Sequence, residues 1–151
     1  MKLKNYTSEV PAERNMQNIE TMLMQFGASH ISKTIENKEV DGFYFQIFVG
    51  GVPMSFKLPV EVEAVEKLLL AEQRRLSPSS RERIKAQAKR TAWALLRDWI
   101  HVQLSMVQMQ QVEAVQIFLP FMCIPNSDRT FFERLKENNF KQITEGQGVT
   151  K

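Results

Sequence analysis

A chain of 151 residues with 43% hydrophobic and 25% charged content has the make-up of an ordinary globular protein and is long enough to bury a core, which excludes a disordered or low-complexity chain. The single Cys123 excludes an intrachain disulfide framework and fits a reducing compartment. The net charge is only +3, but the window from Arg74 to Arg97 holds eight cations against one acid, Glu82, a local excess of +7 that the rest of the chain offsets. A local block of cations on a folded protein is the usual footprint of an anionic partner.

In chain order, Pro11 is placed to open a helix and Gly27 to close it, with Met16, Ile19, Leu23 and Phe26 recurring at helical spacing between them. This amphipathic helix is expected to cover a sheet. Three strands are predicted next. Ile31, Lys33 and Ile35 alternate with Ser32 and Thr34. Phe43, Phe45, Ile47 and Val49 alternate with Tyr44, Gln46 and Phe48. Val52, Met54, Phe56 and Leu58 alternate with Pro53, Ser55 and Lys57. Gly50-Gly51 predicts a tight hairpin between the second and third strands, because both positions tolerate positive φ. Asn37 to Gly42 reads as a looser turn. Pro53 cannot donate to a ladder, so the third strand is expected at an edge.

Pro59 opens the next helix, with Val62, Val65, Leu68 and Leu69 as its buried stripe. Glu61, Glu63 and Glu66 sit near its N-terminus, and Arg74 and Arg75 near its C-terminus, where the helix dipole favours each sign. Ser79 with Glu82 reads as a capping box for a long helix running to about Met109. That helix continues or bends near Gln110-Gln111, and Pro120 ends the helical stretch. Asn126-Ser127-Asp128 is expected to cap a short helix containing Phe131, Phe132 and Leu135, and the tail from about Lys141 is expected to fray.

These elements predict an α+β fold: a three-stranded antiparallel meander packed with an N-terminal helix and a long helical C-terminal half. Residues 1–140 are read as one domain, with 1–76 holding the first helix, sheet and second helix, and 77–140 the long and short C-terminal helices. Residues 141–151 are read as a flexible tail. Val112, Val115, Phe118, Leu119 and Phe121 offer apolar surface for either intrachain packing or a homo-oligomer.

At about 100° per residue, Ile84, Ala88, Ala92, Leu95 and Trp99 form one stripe of the long helix. Arg83, Arg90 and Arg97 line the opposite side, about 10 Å apart. Lys85 and Lys89 flank the stripe, and Trp93 projects between the basic rows. The candidate nucleic-acid-binding residues are therefore Arg74, Arg75, Arg81, Arg83, Lys85, Lys89, Arg90, Trp93 and Arg97. Arginine forks match phosphate oxygens, and an indole among them stacks on an unpaired base. The competing reading is a solvated outer face, with Trp93 buried by the later helices. Tyr44, Phe48, Lys57 and His30 share the sheet face opposite the core, and Tyr44 and Phe48 are expected to be covered by the C-terminal helices.

No catalytic constellation is visible. His30 and His101 lie on different elements without metal-ligand spacing, and Cys123 has no histidine that the sequence places beside it. The expectation is a non-enzyme without cofactor or metal. The sequence also shows no apolar leader and no apolar run of bilayer length, so a cytoplasmic protein is expected. The helix–strand–strand–strand–helix order resembles a double-stranded-RNA-binding domain, but Glu61 and Glu63 stand where that family places phosphate-binding lysines, and the likeness is set aside.

The segments MKLKNYTSEVPAER, GFYFQI…MSFKLP, RTAWALLRDWIHVQLS and EAVQIFLPFM together resemble a group of short proteins encoded by bacteriophages, prophages and related bacterial mobile elements. The resemblance runs to about Phe140 and brings no activity or site residue with it. It implies a small protein made inside an infected or lysogenic bacterial cell. Such proteins handle nucleic acid or disable host machinery, so the two expected partners are DNA or RNA, bound through the basic helix, and a host protein complex of antiviral defence, bound as an inhibitor or adaptor.

Overall fold

In the computed structural model, which describes residues 2–146, the chain is α+β. Its elements are α1 (Ala12–Phe26), β1 (His30–Glu36), β2 (Glu39–Val49), β3 (Val52–Lys57), α2 (Val62–Ala71), α3 (Pro78–Gln108), α4 (Ala114–Phe118), a 3-10 turn (Leu119–Phe121) and α5 (Phe131–Glu137). They gather into two compact units, each built from two stretches of chain. Residues 2–27 and 59–111 form a helical unit, and residues 28–58 and 112–146 form a sheet unit.

In the helical unit, α1 and α2 both pack on α3. Pro11 precedes α1, and Gly27, at φ 109°, closes it by donating its N–H to the Leu23 and Met24 carbonyls, the left-handed C-cap that glycine permits. The helix expected to cover a sheet thus finds its apolar partner in α3. On the other flank, Val65 of α2 packs with Ala88 and Ala92 of α3, with Leu3, Val60, Val62 and Leu69 around them. Leu68, expected in the buried stripe, is 54% exposed. Ser77, not Ser79, caps α3. Its hydroxyl accepts from the Ser80 N–H and Pro78 occupies the first turn, where a fixed φ and a missing N–H cost nothing. The helix then runs 31 residues and breaks where Gln110 takes φ 57°.

The sheet unit is an antiparallel meander in the order β1-β2-β3. Gly50 and Gly51 have φ 57° and 79° and close the Val49–Val52 hairpin, as both strands' right-handed twist requires of a two-residue turn. The β1–β2 connection is equally tight, correcting the looser turn expected. Glu36 pairs with Glu39, and Asn37 and Lys38 both adopt positive φ, which is easy for asparagine and disfavoured for lysine. Without a glycine there, the sequence signal was weak. Phe43, Phe45, Ile47, Phe56 and Leu58 are buried. Phe118 of α4 completes this core, with its ring 5.2 Å from Phe45 and 5.9 Å from Phe56. The edge expected at β3 is partly covered by its own chain: the Cys123 N–H donates to the Ser55 carbonyl at 2.8 Å, beside a Phe56–Met122 bridge.

Thr130 and Glu133 form the capping box of α5, where Asn126-Ser127-Asp128 was expected to cap. Gln142–Gly146 winds into a single π-type turn, and the rest of the expected tail, 147–151, lies outside the described residues. No helix among the described residues is long and apolar enough to cross a membrane.

Gly42 has no room for a side chain. It is buried opposite Thr34, and a Cβ there would lie 2.4 Å from Thr34 Oγ1 and 2.9 Å from Tyr44 Cε2. Gly42→Ala is expected to destabilise by about 1–3 kcal/mol through overpacking. Thr34→Ala removes one of the two clashing atoms, so the double variant should cost measurably less than the sum of the singles in a urea-unfolding cycle.

Candidate functional site

Four consecutive residues of α3, Thr91, Ala92, Trp93 and Ala94, are buried. At about 100° per residue they span most of the helix circumference, so the middle of α3 is enclosed and presents no solvent face there. Small side chains at 88, 91, 92 and 94 permit that close approach. A single apolar stripe does not describe this stretch. Ile84, Leu95 and Trp99 are only half-buried, while Thr91, Leu96 and Ile100 are buried.

The basic block therefore splits in two. Trp93 has 0% exposure, so its indole is not on offer to a base, and the stacking role expected for it is withdrawn. Arg97 is bound within its own unit. Its Nη1 donates to Asn15 Oδ1 at 3.0 Å and its Nε to Asp98 Oδ1 at 3.0 Å. Arg90 donates through Nε to the Ser8 carbonyl at 3.2 Å and through Nη2 to Gln87 Oε1 at 2.6 Å. Lys89 pairs with Glu13 at 3.4 Å. The enclosure explains these contacts, because a cation that loses water must find acceptors in the protein. The expected solvent-facing line of Arg83, Arg90 and Arg97 thus keeps only its first member exposed.

What encloses α3 on this side is the N-terminal arm, residues 2–10. Thr91 Oγ1 donates to the Asn5 carbonyl at 3.0 Å, Gln87 Nε2 donates to the Ser8 carbonyl at 3.1 Å, and Asp98 Oδ2 accepts from Lys4 Nζ at 2.7 Å and Asn5 Nδ2 at 2.9 Å. Burial alone would raise the Asp98 carboxyl. The hydrogen bonds from Lys4, Asn5 and Arg97, with the Arg97 charge, outweigh it and hold the group at about 2, down from 3.8.

The other cations remain outside. Arg74 and Arg75 lie in the α2–α3 connection, and Arg81, Arg83 and Lys85 on the first turns of α3, and all five are exposed. Among the described residues, none of the five forms an ion pair with the chain's own carboxylates. Capping does not account for them. Helix α2 ends at Ala71 with no basic residue in its last turn, so Arg74 and Arg75 fall beyond it. The first turn of α3 carries no acid. Arg81 closes that turn and gains nothing from the positive dipole end, and Arg83 lies in the next turn beside Glu82.

Beside this group lies an open cleft of about 660 Å³ in the helical unit. Leu69, Ile84 and Ala86 give it apolar surface. Tyr6, Ser80, Glu72, Gln73, Gln87, Arg83 and Arg90 give it polar groups. Tyr6, Glu72 and Gln73 escaped the sequence reading. Tyr6 reaches the cleft only because the arm folds back along α3, and no periodicity signals that.

Elsewhere, the sheet face expected to be covered is partly open. Phe48 is 61% exposed, and Lys57 Nζ lies 5.9 Å from the half-buried Tyr44 ring. Burial pushes the Cys123 thiol above its ordinary value, with Lys57 opposing, which disfavours the thiolate. No cluster of three or more metal-ligating side chains occurs among the described residues. No protein-family model, curated protein or solved structure matches the chain.

Proposed function

We propose that this chain is a non-enzymatic accessory protein of a bacteriophage or related mobile element, acting in the cytoplasm of its bacterial host, and that it binds nucleic acid through the cations around the α2–α3 connection. The observation that carries the reading is the split in the basic block. Lys89, Arg90 and Arg97 serve the fold, whereas Arg74, Arg75, Arg81, Arg83 and Lys85 are exposed and lack carboxylate partners among the described residues. Arginine dominates the group, as suits bidentate contact with phosphate oxygens.

The test is a mobility-shift comparison of the parent with a variant carrying Gln at all five positions, using short single- and double-stranded DNA and RNA at about 50 and 300 mM salt. The parent should bind at low salt and release at high salt, and the variant should fold normally and bind at neither. A parent that binds none of these at low salt overturns the reading. That outcome favours the second one, an inhibitor or adaptor docking on a host protein complex, for which the exposed Phe48 near the β2–β3 hairpin is the specific observation.

A further inference from the structure

The cleft beside the exposed cations combines features that a phosphate-binding ridge alone does not need. We propose that it receives one unstacked nucleotide, so that the partner is a single strand rather than a duplex; this rests on the nucleic-acid reading above and specifies its substrate class. At about 660 Å³ the cleft lies within the range of small-ligand sites, about 300–1,000 Å³. Leu69 and Ile84 provide apolar surface for a base face, and Tyr6, 37% exposed, provides an aromatic ring for stacking. Gln73, Gln87 and Glu72 bring two amides and a carboxylate to the same walls. The Gln87 amide is held by Ser8, Thr91 and Arg90, so the Gln73 amide and the Glu72 carboxylate are the groups that donate to and accept from a base edge, which is accessible only when the base is unpaired. Arg83 and Arg90 supply positive charge for the phosphate.

The cleft is also pre-organised. Tyr6 is flanked by residues whose carbonyls are anchored to α3: Asn5 O accepts from Thr91, and Ser8 O accepts from Gln87 and Arg90. Two nitrogens of the Arg90 guanidinium are already held, by Ser8 and Gln87, so binding need not first order that side chain. This contact pattern assigns the aromatic role to Tyr6, a residue far from the basic block in sequence.

The experiment measures affinities by fluorescence anisotropy for a 12-nucleotide single strand and its duplex, with the parent, Tyr6→Leu, Gln73→Ala and Arg81→Gln. The parent should prefer the single strand. Tyr6→Leu should weaken single-strand binding about tenfold, the scale of one lost stacking contact, and leave duplex binding unchanged. Gln73→Ala, an exposed position that folding does not require, should alter the ranking among four homopolymer strands. Arg81→Gln, outside the cleft, should weaken single strand and duplex alike. Equal parent affinity for the two forms, or single-strand affinity unmoved by both Tyr6→Leu and Gln73→Ala, overturns the cleft assignment while leaving the basic surface standing. Absence of binding to either form at low salt overturns both.

Discussion

Trp93→Ala is expected to lower the unfolding free energy by about 3–5 kcal/mol, the range for removing a large buried aromatic. Trp93 has no exposed surface in the enclosed middle of α3, with the buried Ala92 and Ala94 on either side of it. Against a total stability of about 5–15 kcal/mol for a domain of this kind, such a loss leaves little margin at elevated temperature. Urea unfolding measures it directly, and Trp93→Phe should recover a large part of the loss. If Trp93 instead met a ligand at the surface, the alanine variant would unfold within about 0.5 kcal/mol of the parent, as surface substitutions do, and would lose affinity. That result would contradict the enclosure of α3.

The second large effect is at Asp98, which joins the N-terminal arm to α3. Its carboxylate, 24% exposed, accepts from Lys4, Asn5 and Arg97. Asp98→Ala removes all three contacts and leaves the Arg97 guanidinium with Asn15 alone among its described partners. A loss of about 2–4 kcal/mol is expected, because hydrogen bonds to a charged group are worth about 1.5–3 kcal/mol each and are not additive. The pH dependence has a definite sign. The folded carboxyl, at about 2, lies below its ordinary 3.8. Its contribution is therefore fully present above the unfolded value and lost as pH falls from about 4 towards 2. On the order of 2 kcal/mol should disappear across that window, after allowing for partial exposure. Asp98→Asn should flatten the profile there, and an unchanged acid profile would contradict the anchoring role. Loosening the arm also frees Tyr6, so Asp98→Asn should weaken single-strand binding more than duplex binding.

The sheet was largely legible in the sequence because its rules are local. Period-two alternation placed the core face of β2, Gly50-Gly51 placed one hairpin, and Pro53 placed an edge. The Asn37-Lys38 hairpin was misread because lysine at positive φ carries no turn signature. The site was only half legible. Charge counting found the cations, but nothing in the spacing of Arg83, Arg90 and Arg97 distinguishes a solvated arginine from one bound to a backbone carbonyl. Arg90 binds Ser8 O, and Arg97 binds Asn15, 82 positions away in sequence. Carbonyl acceptors carry no residue signature, and the folding back of the arm is a tertiary event. The same event brought Tyr6 to the cleft. The capping residues shifted for a smaller reason: Ser77-Pro78 competes with Ser79, and proline's preference for the first turn decided between them.

The most direct measurement is the dependence of log affinity on log salt concentration for a single strand, compared between the parent and the five-position Gln variant. Counterion release gives a slope of about 0.7 per phosphate neutralised on a single strand. If the five cations around the α2–α3 connection form the contact, the slope should be shallower in the variant than in the parent by about 3.5, with affinity at 50 mM salt falling on the order of a hundredfold or more. Identical slopes and affinities in two equally stable proteins would contradict it.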